Sequence, residues 1–270
     1  MFSSQTIGID LGTASVIIYV KGKGIVLREP SAVALDCESG EVLAVGADAY
    51  RMIGRTPRNI EVVRPLKDGV ISNFDVTEKM LRAFLRKAIG RRLIFRPRVV
   101  VCVPSGVSEM EKRAVVEVCE DAGAVYARLI EEPMAAALGA GVPIGETAGH
   151  MVVDIGGGTT DVAVISMGKI VASRSVKVSG DAFDRAITEF FRQEHRLDIG
   201  PMTAETLKTE LACALPRPML ETRRVIGRCM DSGLPKSVEV TSEALCAALQ
   251  SLAEFGWKNY RTHAWFSNCR

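Results

Sequence analysis

The chain has 270 residues, 47% of them hydrophobic, with a mean hydropathy of +0.16, which is enough to bury one large core or two medium lobes and too apolar for disorder. Thirty-four Lys and Arg against 32 Asp and Glu give a net charge of only +2, with no basic stripe interleaved with aromatics, so nucleic acid is not a favoured partner. Seven cysteines without CxxC or His spacing fit reduced thiols in a cytosolic protein better than a disulfide framework or a zinc site, and no apolar run reaches the roughly 20 residues of a membrane span.

In chain order, Ile7-Gly8-Ile9-Asp10-Leu11-Gly12-Thr13 is an apolar strand ending in an acidic, glycine-containing turn, and a second strand, Val16 to Val20, follows it. Short strands and polar turns between residues 30 and 65 make a small inserted subdomain. Asp75, an N-cap candidate with Glu78 in capping-box spacing, predicts a helix to about Ala88 with Met80, Leu81, Phe84, Leu85 and Ala88 on its inner face. Val99 to Val103 is a continuous apolar run closed by Pro104, the pattern of a central strand covered on both faces. Ser108 and Glu111 form a capping box for a helix ending near Gly123, and a strand, Ala127 to Ile130, and a short alanine-rich helix, Pro133 to Gly139, come next.

The pattern then restarts. Val152-Val153-Asp154-Ile155-Gly156-Gly157-Gly158-Thr159-Thr160 repeats the acidic glycine turn, and Val162 to Ile165 supplies its second strand. Helices are expected over Asp181 to His195, about Thr203 to Ala214 and Ser242 to Leu252, with strands at Val225 to Arg228 and Ser237 to Val240. From about residue 254 no sustained helical period is visible. The expected fold class is α/β, two similar lobes around a cleft: residues 1–29 and 66–144 in the first core lobe, 30–65 inserted in it, 145–179 and 241–253 in the second core lobe, 180–240 inserted there, and 254–270 an atypical tail.

Glycine at a hairpin tip lets backbone N–H groups reach a phosphate with no Cβ in the way, and the hydroxyl of Thr13 or Thr159 adds a donor. Either turn alone reads best as an ordinary hairpin. Two facing tips, however, can clamp a polyphosphate, leaving Asp10 and Asp154 to hold Mg²⁺ through water, since that ion prefers oxygen ligands and keeps its waters.

With these motifs in hand, the chain resembles the actin, sugar-kinase and heat-shock-chaperone ATPase superfamily, most closely its bacterial actin-like MreB family. The resemblance is carried by Asp10-Leu11-Gly12-Thr13, Arg64-Pro65-Leu66-Lys67-Asp68-Gly69-Val70-Ile71, Glu131-Glu132-Pro133-Met134-Ala135-Ala136-Ala137 and Asp154 to Thr160, and it extends from about Thr6 to about Leu252. It implies an actin-like two-lobed ATPase fold with duplicated ribonuclease-H-like cores, closing on ATP and Mg²⁺. Asp10, Gly12 and Thr13 match the first phosphate loop; Asp154, Gly156, Gly157, Gly158, Thr159 and Thr160 match the second. Glu131 matches the residue that orients the attacking water, with Glu132 beside it; taken alone, the pair also reads as helix-start acids favoured by the helix dipole. Glu205 and Lys208 match adenine and ribose contacts, or else form a solvated ion pair one turn apart. Ser179-Gly180-Asp181 resembles a Gly-Gly-Asp turn with Ser replacing its first Gly, which costs strain if that position needs a positive φ. Asp161 stands where the family commonly carries Glu.

The family resemblance also implies head-to-tail filaments under the inner membrane that set rod shape and organise wall synthesis with cell-wall elongation proteins, the protein being cytoplasmic and peripheral at the inner face of the membrane. A nucleotide-gated chaperone-like or accessory ATPase module without filaments is the alternative. Leu93, Ile94 and Phe95, flanked by Arg91, Arg92, Arg96 and Arg98, read equally as a lipid-dipping loop or as the start of the buried strand. The short start Met1-Phe2-Ser3-Ser4 leaves no room for the amphipathic helix some relatives carry there. Family members continue through more of the second lobe to a late Gly-Gly-Gly turn that nothing here matches, which implies an incomplete second lobe, weak ATP binding and impaired polymerisation.

Overall fold

The structure is a computed structural model that describes residues 5–90 and 96–261, with side chains as far as residue 254. The chain divides into a first compact unit through Lys177 and a second from Val178 onward.

The first unit opens with β1 (Thr6–Leu11), β2 (Ser15–Val20) and β3 (Gly24–Pro30), an antiparallel meander. The insertion follows as β4 (Val33–Asp36), β5 (Val42–Val45), the single turn α1 (Ala47–Tyr50) and β6 (Ile60–Val63), joined in a three-stranded sheet with β4 central. A short hairpin, β7 (Leu66–Lys67) and β8 (Val70–Ile71), leads to α2 (Phe74–Ile89), β9 (Arg98–Val103), α3 (Glu109–Asp121), β10 (Tyr126–Glu131) and α4 (Glu132–Gly139). β9 and β10 join the meander in parallel, giving the order β10-β9-β1-β2-β3 with Ile7 opposite Val99 and Ile9 opposite Val101. The unit ends in β11 (His150–Ile155), β12 (Thr160–Ser166) and β13 (Lys169–Val176), a separate antiparallel sheet.

Core formation follows the side-chain periods. Val76, Met80, Leu81, Phe84 and Leu85 of α2 recur every three or four residues, and all are buried with Ile7, Ile9, Val16, Ile18, Val99 and Val101 from alternate strand positions. The cap of α2 is Asn73, whose side chain accepts the Val76 N–H; Asp75 lies inside the first turn, where its charge complements the helix dipole. Ser108 and Glu111 make the full capping box of α3. The expectation that Val99 to Val103 is covered on both faces is not met: Val100 is 37% exposed and Arg98 is exposed while their neighbours are buried, so only one face of β9 meets the core.

The second unit comprises α5 (Gly180–His195), β14 (Leu197–Asp198), α6 (Pro201–Glu210), β15 (Thr222–Cys229), β16 (Pro235–Thr241) and α7 (Ser242–Arg261). Ile187, Phe191, Leu197, Leu207, Leu211, Val225, Val240 and Leu245 form its core. α7 continues to Arg261, past the Leu252 at which the sequence pattern stops, whereas α6 closes at Glu210, four residues short of the expected Ala214.

Candidate functional site

Both acidic glycine turns lie in the first unit, and their tips touch. In the β1–β2 turn Gly12 N–H donates to Ser15 O at 3.1 Å; in the β11–β12 turn Gly156 N–H donates to Thr159 O at 2.9 Å, the same closure made twice. A Cβ at Gly157 would lie 2.6 Å from the Ala14 Cβ, and one at Gly158 would lie 2.2 Å from Thr13 Oγ1 and 2.7 Å from Gly69 N. Only glycine fits there, because neither neighbour is the free end of a flexible side chain. Thr13, Gly158, Thr159 and Thr160 are all buried at this junction.

A third turn completes it. Asp68 and Gly69, between β7 and β8, both have positive φ (51° and 80°), which aims the Gly69 N–H at Thr13 Oγ1, 3.0 Å away. Gly69 also sits against Thr159 and Pro104, where a Cβ would lie 2.7 Å and 2.8 Å from their side chains. With its oxygen accepting from Gly69, the Thr13 hydroxyl keeps its proton to donate elsewhere. Arg64 Nη2 donates to Thr13 O at 3.2 Å, Ser31 Oγ donates to Gly12 O at 2.6 Å, and Ser31 N–H donates to Ala14 O at 3.0 Å. Asp68 and Gly69 are absent from the site residues expected above; the Asp-Gly pair in the Arg64 to Ile71 motif was the signal for a turn that needs positive φ. A small cavity of about 30 Å³ lies beside Leu11, Leu66, Gly69, Cys102, Val103 and Pro104, room for roughly one water.

Four carboxyl groups gather around these tips. Burial, followed by the charge of Asp154, raises the pKa of Asp10, and burial, followed by Asp161, raises that of Asp154. Glu132 is pushed up to about 8 by burial and then by Asp161, Asp10 and Asp154. Asp161 is 1% exposed: its Oδ1 accepts the Ser105 N–H at 2.8 Å, the Thr159 and Ser175 hydroxyls stand beside it, and its Oδ2 is buried without a hydrogen-bond partner among the described residues. Burial raises its pKa in spite of those donors. The Cys102 thiol, next to the same acids, is pushed up to about 12 by burial first, then by Asp10, Glu132 and Asp154. Glu132 thus joins the two aspartates, whereas Glu131, opposite Val103 in the β9–β10 register, acts on both Lys112 and Asp161. Among the described residues no group of three or more His, Cys, Asp or Glu side chains has the geometry to hold a metal ion by itself.

The remaining expected site residues are in the second unit. Lys208 Nζ on α6 donates to Asp184 Oδ2 at 2.8 Å and to Gly180 O at 3.2 Å, so Lys208 and Gly180 are in direct contact across the α5–α6 packing. Glu205 and Asp181 are half-buried on α6 and α5. Ser179 has φ −156°, extended backbone that any residue adopts, and its place in the Ser179-Gly180-Asp181 turn therefore carries no strain. Leu93, Ile94 and Phe95 lie outside the described residues. Of the flanking arginines, Arg96 bonds Glu120 O and Gly123 O at the end of α3, and Arg98 lies over the Tyr126 ring, 5.9 Å from its centroid.

The sequence matches the family described as MreB/Mbl protein over residues 4–255. The cell shape-determining protein Mbl of Bacillus subtilis (strain 168) is 51% identical over 247 residues, a match covering 92% of this chain and 74% of that protein. A crystal structure of MreB5 of Spiroplasma citri bound to AMPPNP superposes with a TM-score of 0.89 at 36% identity, covering 97% of this chain and 80% of that one. The MamK double helical filament shares the fold, with a TM-score of 0.77 at 20% identity over 96% of this chain and 79% of that one. From its paired glycine tips to these matches, the chain belongs to the MreB/Mbl family and has the actin-like fold.

Proposed function

We propose that this chain binds ATP with Mg²⁺ and assembles head to tail into cytoskeletal filaments that determine cell shape. The seat of Gly157 and Gly158 against Ala14 and Thr13 supports this reading most, because it closes two N–H-lined turns on one another at van der Waals distance, a cradle that any Cβ would fill. The residues present fit the ligand. Gly12 and Gly156 close the two turns through their own N–H groups, which leaves the other N–H groups of the tips, from Thr13 and between Gly157 and Thr160, to suit phosphate oxygens; the Thr13 hydroxyl adds a donor, while that of Thr159 donates to Asp161. Asp10 and Asp154, their pKa values raised by burial and then by a neighbouring carboxylate, Asp154 for the first and Asp161 for the second, offer hard oxygens that a divalent cation would return to the ionised state. Mg²⁺, when bound, neutralises phosphate charge and holds its ligands in a fixed array.

Glu131 and Glu132 are assigned to catalysis. Glu131, whose charge is felt by Lys112, is assigned the orienting of a water, and Glu132, with a pKa of about 8, the holding or releasing of a proton near neutral pH. Asp161 holds the backbone at Ser105, whose N–H donates to its Oδ1. In the second unit Glu205, Lys208, Gly180 and Asp181 are assigned to the adenosine. Membrane attachment through Leu93 to Phe95, a location at the inner face of the cell membrane and cooperation with cell-wall elongation proteins extend the same proposal; no helix among the described residues is long and apolar enough to cross a membrane.

Calorimetric titration with Mg-ATP, paired with ATP-dependent pelleting in the presence and absence of anionic vesicles, tests it. Saturable one-to-one binding and ATP-dependent pelleting are expected. A folded sample with no measurable heat at millimolar nucleotide would overturn the assignment, and binding without pelleting would favour the accessory-module alternative.

A further inference from the structure

In the second unit the chain leaves α6 through Leu211 and Ala212, whose N–H groups both close on Leu207 O, and this turn delivers Cys213 onto the start of α7. Cys213 Sγ donates to Ser242 O at 3.7 Å. Ser242 is the first residue of α7 and Cys246 stands one turn later on the same face, since side chains at i and i+4 lie one above the other on a helix. Burial first, and then the neighbouring Cys213 thiol, raise the pKa of Cys246. Cys246 is 8% exposed, next to the buried Leu245 and Leu249, while Cys213 is half-buried and open to a reagent. Cysteine packs well as a small hydrophobe, but packing alone does not require a second thiol against the first.

We propose that Cys213 and Cys246 form a redox-active dithiol that reacts with a low-molecular-weight disulfide of the glutathione type and closes into an intramolecular disulfide. The Cys213 thiolate, having lost its proton to solvent, attacks one sulfur of the reagent; the reagent's S–S bond breaks, a mixed disulfide forms on Cys213, and one thiolate leaves. Cys246, its proton passing to the departing thiolate, then attacks Sγ of Cys213; the mixed disulfide breaks and the second reagent molecule leaves as a thiol. The two protein sulfurs are oxidised by two electrons and the reagent is reduced to two thiols. The product ties the end of α6, the helix that carries Glu205 and Lys208, to the first turn of α7. This inference is independent of nucleotide binding.

The full chain is incubated, folded, with oxidised glutathione, quenched by alkylation and mapped by peptide mass spectrometry. The expected products are a 213–246 cross-link that lacks two hydrogens, glutathione adducts at the more open Cys37 and Cys229, and alkylation of Cys246 slowed at least about 10-fold after oxidation. Cys246→Ser should trap glutathione on Cys213, because the resolving thiol is gone, and Cys213→Ser should leave Cys246 reduced. Separate adducts on Cys213 and Cys246 in the wild-type chain, or unchanged Cys246 alkylation, would overturn the proposal. Should a serine variant fail to fold, the wild-type map decides alone.

Discussion

The first unit contains the same hairpin twice, and the two copies are supported very differently. β1 is the centre of a five-stranded sheet, with β9 alongside and α2 packed on the face that buries Ile7, Ile9 and Leu11. β11 is the edge of a three-stranded sheet; α4 packs against it and β12, while Met151, Val153 and Ile155 on alternate positions are 55%, 46% and 66% exposed. The tips nevertheless close with the same bond, Gly12 to Ser15 and Gly156 to Thr159. Tip geometry is therefore a local property of the glycine turn and its neighbours, and sheet size governs stability instead. An apolar alternation that builds a core in β1 leaves an open face in β11.

Breaking the junction between the two copies should have the largest effect. Gly158→Val places a side chain where Thr13 Oγ1 and Gly69 N stand, with no flexible neighbour to yield. A loss of nucleotide affinity of at least about 100-fold is expected by calorimetry, against a folded circular dichroism spectrum. Affinity within a factor of two of wild type would mean the tips act separately.

The contrast in support is sharpened by a matched pair. Phe84→Ala on α2 empties a fully buried site and should cost about 3–5 kcal/mol in urea unfolding, whereas Val153→Ala on the open face of β11 should stay within about 0.5 kcal/mol. Equal costs would show that the β11 face is covered in solution.

The acids between the copies predict a pH effect. Glu132 has a folded pKa of about 8 against an ordinary 4.5, so between those values the folded protein keeps a proton that the unfolded chain has lost. Its contribution is most favourable below about pH 4.5 and is lost as pH climbs towards 8, with Asp10, Asp154 and Asp161 shifted in the same direction. Glu132→Gln should flatten that slope and raise stability at pH 8 by roughly 1–3 kcal/mol, read from thermal midpoints across pH without added cation. A slope unaltered by the substitution would place the titration elsewhere. Ser31→Ala removes one hydrogen bond to Gly12 O and should cost a modest amount, about 0.5–1.5 kcal/mol read by urea unfolding, while leaving the β11–β12 tip unaffected.

Much of this site was legible in the sequence because its information is local. Asp10 to Thr13 and Asp154 to Thr160 announce turns by residue type, and Ser108 with Glu111 announces a helix start that the structure reproduces. What was not legible depends on long-range packing. Asn73 displaces Asp75 as the cap of α2 because the cap position is set by where the chain leaves the β7–β8 hairpin, where Ser72 and Asn73 both bond Pro65 O. Val99 to Val103 reads as a doubly covered strand, yet nothing in its own residues reports whether the outer face has a neighbour. Lys208 and Glu205 are one turn apart in sequence, but the lysine turns to Asp184 across the α5–α6 contact.

The insertion between β3 and β7 has two roots, and both are fastened to the same three residues. Its outgoing root, Ser31, holds Gly12 O and Ala14 O, and its returning root, Arg64, holds Thr13 O, with Gly69 N–H closing on the Thr13 hydroxyl just beyond. The arrangement is that of a lever with its fulcrum on the turn itself. A displacement of Gly12 to Ala14 would strain both anchors at once, because Ser31 and Arg64 bond the carbonyls of those three residues. Conversely, a load on the insertion is delivered back to residues 12–14, so any event at the turn and any neighbour touching the insertion share one mechanical account.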